Sequence, residues 1–98
     1  MNFLYGADDR FIDITESMLK NHTFGNYIVI PLNDGVRTPI FGDPLPGILK
    51  HIVVQINDNS IPIYSHECCV INLETGEIFK NCPKYYWNKI GQFLRFRE

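Results

Sequence analysis

The sequence predicts a mainly β domain carrying one or two short helices, folded as an antiparallel two-sheet β-sandwich. Three observations predict it. Apolar residues alternate along Tyr27–Leu32 and Ile48–Ile56, the signature of strands with one face buried. Turn signals recur at short intervals, at Gly25-Asn26, Asn33-Asp34-Gly35, Asn57-Asp58-Asn59-Ser60 and Glu74-Thr75-Gly76-Glu77, so the strands are short and meet as hairpins. A chain of 98 residues is long enough for one hydrophobic core and too short for two, which makes residues 1–98 a single domain with residues 80–98 as a C-terminal extension.

Taken in order, Asn2-Phe3-Leu4-Tyr5 is β-prone and stops at Gly6 and the charged turn Ala7-Asp8-Asp9-Arg10. Phe11 to Ile14 resumes the alternation, with Ile12 and Ile14 on one face. A helical turn then reaches Asn21, with Thr15 and Ser17 as its capping hydroxyls. In Tyr27–Leu32, Ile28, Ile30 and Leu32 face one way, and Pro31 marks an edge or a strand end. From Asn33 a polar loop runs through Arg37 and Pro39. Ile48–Ile56 is the longest strand, with Ile52, Val54 and Ile56 inward. The short loop after it makes Ile61–Ser65 antiparallel to it. Cys68–Leu73 and Ile78-Phe79 supply the last strands. In the tail, Tyr86, Ile90, Phe93 and Leu94 recur at helical spacing behind Pro83, while Phe93 to Arg97 also alternates as a closing strand would.

Between the loop and the longest strand lies Phe41-Gly42-Asp43-Pro44-Leu45-Pro46-Gly47. Pro44 and Pro46 hold the chain extended, Gly47 permits a sharp change of direction, and Asp43 accepts backbone hydrogen bonds as an Asp before Pro does. These residues form a structural corner on which the strands are organised. Asp43 as a general acid or nucleophile has no catalytic group at a recognisable spacing to support it.

Charge is unevenly placed. Residues 1–79 hold four basic residues (Arg10, Lys20, Arg37, Lys50) against ten acidic ones, whereas residues 80–98 hold five basic ones against Glu98 alone. The candidate interaction surface is therefore the tail, where Tyr85, Tyr86, Trp87, Phe93 and Phe96 offer flat apolar area beside Lys89, Arg95 and Arg97. Such a stretch can complete the domain's own core, form a homodimer interface, bind a protein partner, or stack nucleic-acid bases. An interfacial membrane helix is a further use of the same residues.

Three cysteines, two of them adjacent at Cys68-Cys69, make a poor disulfide framework and point to an intracellular, reducing compartment. The start Met1 to Gly6 has no basic and apolar leader, and no run is long enough for a transmembrane segment. Thirteen isoleucines and nine asparagines against one alanine indicate an AT-rich source genome, such as that of a protist, a bacterium or a large DNA virus. His66, Cys68 and Cys82 are the weak candidates for metal ligation. They lack the paired spacing of a zinc site, and buried thiols acting as small hydrophobes are the favoured reading. The same residues could make a Cys–His nucleophile pair only with an oxyanion hole that a strand does not reveal. No Gly-rich phosphate loop is present, and no cofactor is expected.

Arg10-Phe11-Ile12-Asp13-Ile14-Thr15, Tyr27-Ile28-Val29-Ile30, the Phe41–Gly47 corner and Lys50-His51-Ile52-Val53-Val54 together carry a family likeness. In that order and separation they resemble the uncharacterised C-terminal β domain of mitochondrial DnaJ-like co-chaperones and its stand-alone relatives, over about residues 3–73. The resemblance implies a β-sandwich used in protein assembly and no enzymatic activity. The J-domain's His-Pro-Asp is absent, so recruitment of an Hsp70 is not carried over. The expected function is a non-enzymatic protein-interaction module, with nucleic-acid binding through the basic aromatic tail as the alternative and a zinc or thiol site behind it.

Overall fold

The computed structural model describes residues 1–31, 33–67 and 69–80. Their elements are β1 (Asn2–Ala7), β2 (Arg10–Asp13), α1 (Thr15–Asn21), β3 (Thr23–Phe24), β4 (Tyr27–Ile30), α2 (Asp34–Phe41), β5 (His51–Ile56), β6 (Asn59–Ile63), β7 (Cys69–Asn72) and β8 (Ile78–Lys80). Two four-stranded sheets result, sheet A in the order β2-β1-β5-β6 and sheet B in the order β3-β4-β7-β8. Every pairing is antiparallel, so the expected mainly β, antiparallel two-sheet sandwich is the observed architecture.

Alternation explains the layering. On sheet A the register sets Phe3 beside Val54 and Tyr5 beside Ile52, with Ile63 beyond. On sheet B it sets Ile28 beside Ile71 and Ile30 beside Cys69. These residues are fully buried and form one core together with Ile14 and Met18 from the α1 region. Because side chains switch face at every residue, their neighbours point outward on both sheets. Two-residue turns close the hairpins, Asp8-Asp9 between β1 and β2 and Asn57-Asp58 between β5 and β6; their first residues adopt φ of 54° and 55°, which Asp and Asn tolerate. Pro62 sits in β6, an edge strand where its missing N–H breaks no ladder bond.

Several local expectations are corrected. The segment from Asn33 through Pro39 is α2 and not a polar loop. Asn33, at φ 77°, caps it by accepting from Gly35 N, and Pro39 sits inside it. A proline there removes one intrahelical bond; the helix persists because Asp34, Arg37 and Phe41 are each anchored to the sandwich, as described below. In α1, neither Thr15 nor Ser17 is the cap: Ile14 holds the cap position without a side-chain bond, and Thr15 Oγ1 instead accepts from Phe3 N at 2.9 Å. Ile48 and Leu49 precede β5 and are exposed, and β6 begins at Asn59. Leu32 lies outside the described residues, as do residues 81–98, where the choice between helix and strand arose.

Candidate functional site

Two constellations stand out, one buried and one exposed. The buried one gathers at the end of the sandwich where α2 and the Phe41–Gly47 corner meet β1 and the start of β5. Tyr5, pointing inward from β1, donates its hydroxyl to Asp34 Oδ1 and lies 2.9 Å from Thr38 Oγ1, one turn along α2. Asp34 Oδ2 accepts from Lys50 N at 3.2 Å. Lys50, only 4% exposed, places its ammonium 3.4 Å from Asp34 and 3.0 Å from Asp43, and donates to the carbonyls of Leu45 and Ile48. Arg37, with no exposed surface, donates to Pro31 O at 2.6 Å, Ile63 O at 3.1 Å and Tyr64 O at 3.0 Å. It thereby ties the exit of β4 in sheet B to the end of β6 in sheet A.

The electrostatics of this cluster hold its charges in place. Burial and the Asp34 carboxylate push the Tyr5 phenol up to about 12, so it keeps its proton at neutral pH. Burial opposes the charge on Asp34, but the bonds from Tyr5 and Lys50 outweigh it and hold the carboxyl below its ordinary value. Burial likewise opposes the Lys50 charge, and Asp43 and Asp34 outweigh it, holding the ammonium above its ordinary value. A phenol that stays protonated, a lysine that stays charged and a carboxylate hydrogen-bonded at both oxygens hold one another in place. The cluster is a clamp across one end of the two sheets.

The corner residues fall around this clamp. Phe41 ends α2 and packs its ring 5.6 Å from Tyr5 and 5.7 Å from His22. Asp43 accepts from Leu45 N at 3.2 Å and pairs with Lys50; Pro44 is half-buried and Pro46 exposed; Gly47 adopts φ 81°. Sequence reasoning did not find Tyr5, Asp34, Arg37 or Lys50. The available signal was Asn33-Asp34, a capping residue followed by an acid in the first turn.

The exposed constellation is a row of rings across the outer face of sheet A. The ladder sets Phe11 of β2, Gly6 of β1 and His51 of β5 side by side. Gly6 has no side chain to fill the middle, and the Phe11 and His51 rings meet edge to face with centroids 5.6 Å apart. The row continues through Tyr64, 5.3 Å from His51, and His66, stacked on Tyr64 at 6.3 Å with 3° between the planes. Phe11 is 36% exposed and Tyr64 47%. Burial, with Arg37 second, lowers the His51 pKa, so its ring is neutral at pH 7.

Of the metal candidates, His66 is exposed in the turn before β7, where it serves this row, while Cys68 and Cys82 lie outside the described residues. Among the described residues no group of three His, Cys, Asp or Glu could hold an ion, and no helix is long and apolar enough to cross a membrane. Tyr85, Tyr86, Trp87, Lys89, Phe93, Arg95, Phe96 and Arg97 lie outside the described residues too. No family model, no curated protein and no solved structure matches this chain.

Proposed function

We propose that this chain is a non-enzymatic protein-interaction module used in assembly, and that its partner presents a basic, extended segment to the ring row on sheet A. The row itself carries the reading: four rings in line on an open sheet face, three of them, Phe11, Tyr64 and His66, exposed. Aromatic faces attract guanidinium and ammonium groups. Two of the four cations in residues 1–79, Arg37 and Lys50, are buried, so the surface of this part of the chain is more acidic than its composition suggests. Asp8, Asp9, Asp13, Glu16 and Asp58 are all exposed. A basic partner is therefore steered toward it and an acidic one repelled. The likeness to the co-chaperone C-terminal domain supports the same class of role.

Rings on a sheet also stack nucleic-acid bases, which is the second reading. The acidic surface opposes it, because phosphate contacts need cations. Titrating the full chain with arginine-rich, lysine-rich and acidic peptides and with a single-stranded oligonucleotide, followed by NMR, separates the two. Arginine-rich peptides are expected to shift Phe11, His51 and Tyr64 resonances, and the Phe11→Ala/Tyr64→Ala variant to lose the response. Oligonucleotide binding at low salt with no response to any peptide would overturn the proposal.

A further inference from the structure

Sheet A ends in two unlike edges, β6 and β2. At β6, the loop Asn57-Asp58 makes Ile56 and Asn59 a hydrogen-bonded pair, and alternation then turns the main-chain groups of Ser60 and Pro62 outward. Pro62 has no N–H to offer there, so that edge is blunted. At β2, the loop Asp8-Asp9 makes Ala7–Arg10 and Tyr5–Ile12 the bonded pairs with β1, so Phe11 and Asp13 direct their N–H and C=O away from β1. Among the described residues, nothing bonds these main-chain groups. Of the edges of sheet B, β3 has only two residues and β8 ends at the last described residue.

We propose that the partner's extended segment adds to the four strands of sheet A as a further one, antiparallel to β2, with an alternating cation–apolar–cation sequence. Strand addition rests on the ring row being a site for a basic segment and specifies how that segment is held. Main-chain bonds to Phe11 and Asp13 set its register. Side chains opposite those two residues fall on the outer face, where Phe11 meets His51 and where Asp13 shares its parity. One cation lies beside Asp13, whose carboxyl is held below its ordinary value by the bonds with Thr15 and is charged at neutral pH. The other lies against the Phe11 ring, at the start of the row. Between them, a residue faces inward beside Ile12, which packs half-buried against the core and suits a branched apolar neighbour. Asp8, Asp9 and Glu16 flank β2 and are exposed, whereas Arg10, the strand's own cation, has the opposite parity. A second copy of β2 paired antiparallel in that place would set Asp9, Phe11 or Asp13 opposite Asp13 and supply no cation.

In such a strand the N–H of each cationic residue points at β2 and that of each apolar residue points away. N-methylation therefore tests the mode of binding with charge unchanged. The full chain is titrated with the capped peptide Arg-Val-Arg-Val-Arg and with copies N-methylated on the arginines or on the valines. The parent and N-methyl-valine peptides are expected to bind alike, and the N-methyl-arginine peptide roughly tenfold more weakly, because its N–H bonds to β2 are lost. Amide exchange at Phe11 and Asp13 is expected to be fast in the free chain and slowed by the parent peptide. Equal binding by both methylated peptides, with Phe11 and His51 resonances still shifting, would overturn strand addition and leave the ring row as the site. Absence of binding by all three would overturn both. Phe11 and Asp13 amides already protected in the free chain would also overturn strand addition, since the edge would then be occupied.

Discussion

Leu4, Phe11, His51, Val53 and Tyr64 on the outside of sheet A all keep some contact with water, whereas Phe24, Val29 and Val70 on the outside of sheet B keep almost none. Both faces alternate in the same way, although the strands of sheet A run four to six residues and those of sheet B two to four, so alternation alone cannot separate them. The difference lies in what is near each face. Sheet A carries a row of rings over a glycine gap, large flat groups that tolerate water and recognise cations. The outer face of sheet B carries Val29 and Val70 beside the Phe24 and Tyr27 rings, and all but Tyr27 are closed off from water.

A charge at Val70 tests that contrast most severely. Val70→Asp is expected to cost about 4 kcal/mol in urea unfolding, because it buries an unpaired carboxylate, while Val53→Asp on the half-open face costs under about 1 kcal/mol. Similar losses at both positions would erase the distinction. Next in size is the clamp on which both sheets depend. Arg37→Ala removes three donors from backbone carbonyls, that of Ile63 fully buried, and is expected to lower stability by about 3 kcal/mol. Gly6→Ala should cost about 2 kcal/mol and disturb the row, since an added Cβ would meet the Arg10 carbonyl oxygen at 1.9 Å, backbone that cannot move aside without breaking the β1–β2 pairing. A crystal structure or chemical shifts of that variant would show Phe11 and His51 separated.

The pH profile gives a smaller effect. Asp34 is held below 3.8, so its stabilising contribution is complete above that pH and is lost as pH falls through the folded value. Lys50 is held above 10.5 and Tyr5 is raised from 10.0 to about 12, so their contributions are complete below pH 10 and lost as pH rises through the folded values. Urea midpoints should therefore be flat between about pH 7 and 9; His51, held below 6.5, lets stability fall as pH drops below that value, and the Asp34 share of the further acid loss is missing in Asp34→Asn. Smallest in stability is Phe11→Ala/Tyr64→Ala, expected to change it by about 1 kcal/mol or less while removing partner binding. A large stability loss there would assign the rings to the fold and not to recognition.

Much of the sandwich was legible because burial on one face writes a period of two into the chain. Ile28 and Ile30, Ile52 and Val54, and Cys69 and Ile71 all fall on the faces that alternation assigns them. Asp43's bond to Leu45 N likewise follows from its place before Pro44. The helix α2 was hidden by Gly35 and Pro39, both poor helix residues, since what sustains it is contact with distant groups: Asp34 with Tyr5 and Lys50, Arg37 with Pro31 and Ile63. The ring row was hidden for the same reason, its members lying on two strands and the connection after β6.

Side-chain order along the chain determined the strands, their inward faces and the hairpins, since these depend on neighbours two to five residues away. Only the tertiary structure decided that Lys50 and Arg37 are interior cations, that Phe11, His51 and Tyr64 stand in one line, and that one outer face is shut while the other is open. Each of those outcomes depends on groups that meet across tens of residues of sequence, where strand pairing sets the distance and local preference has no voice.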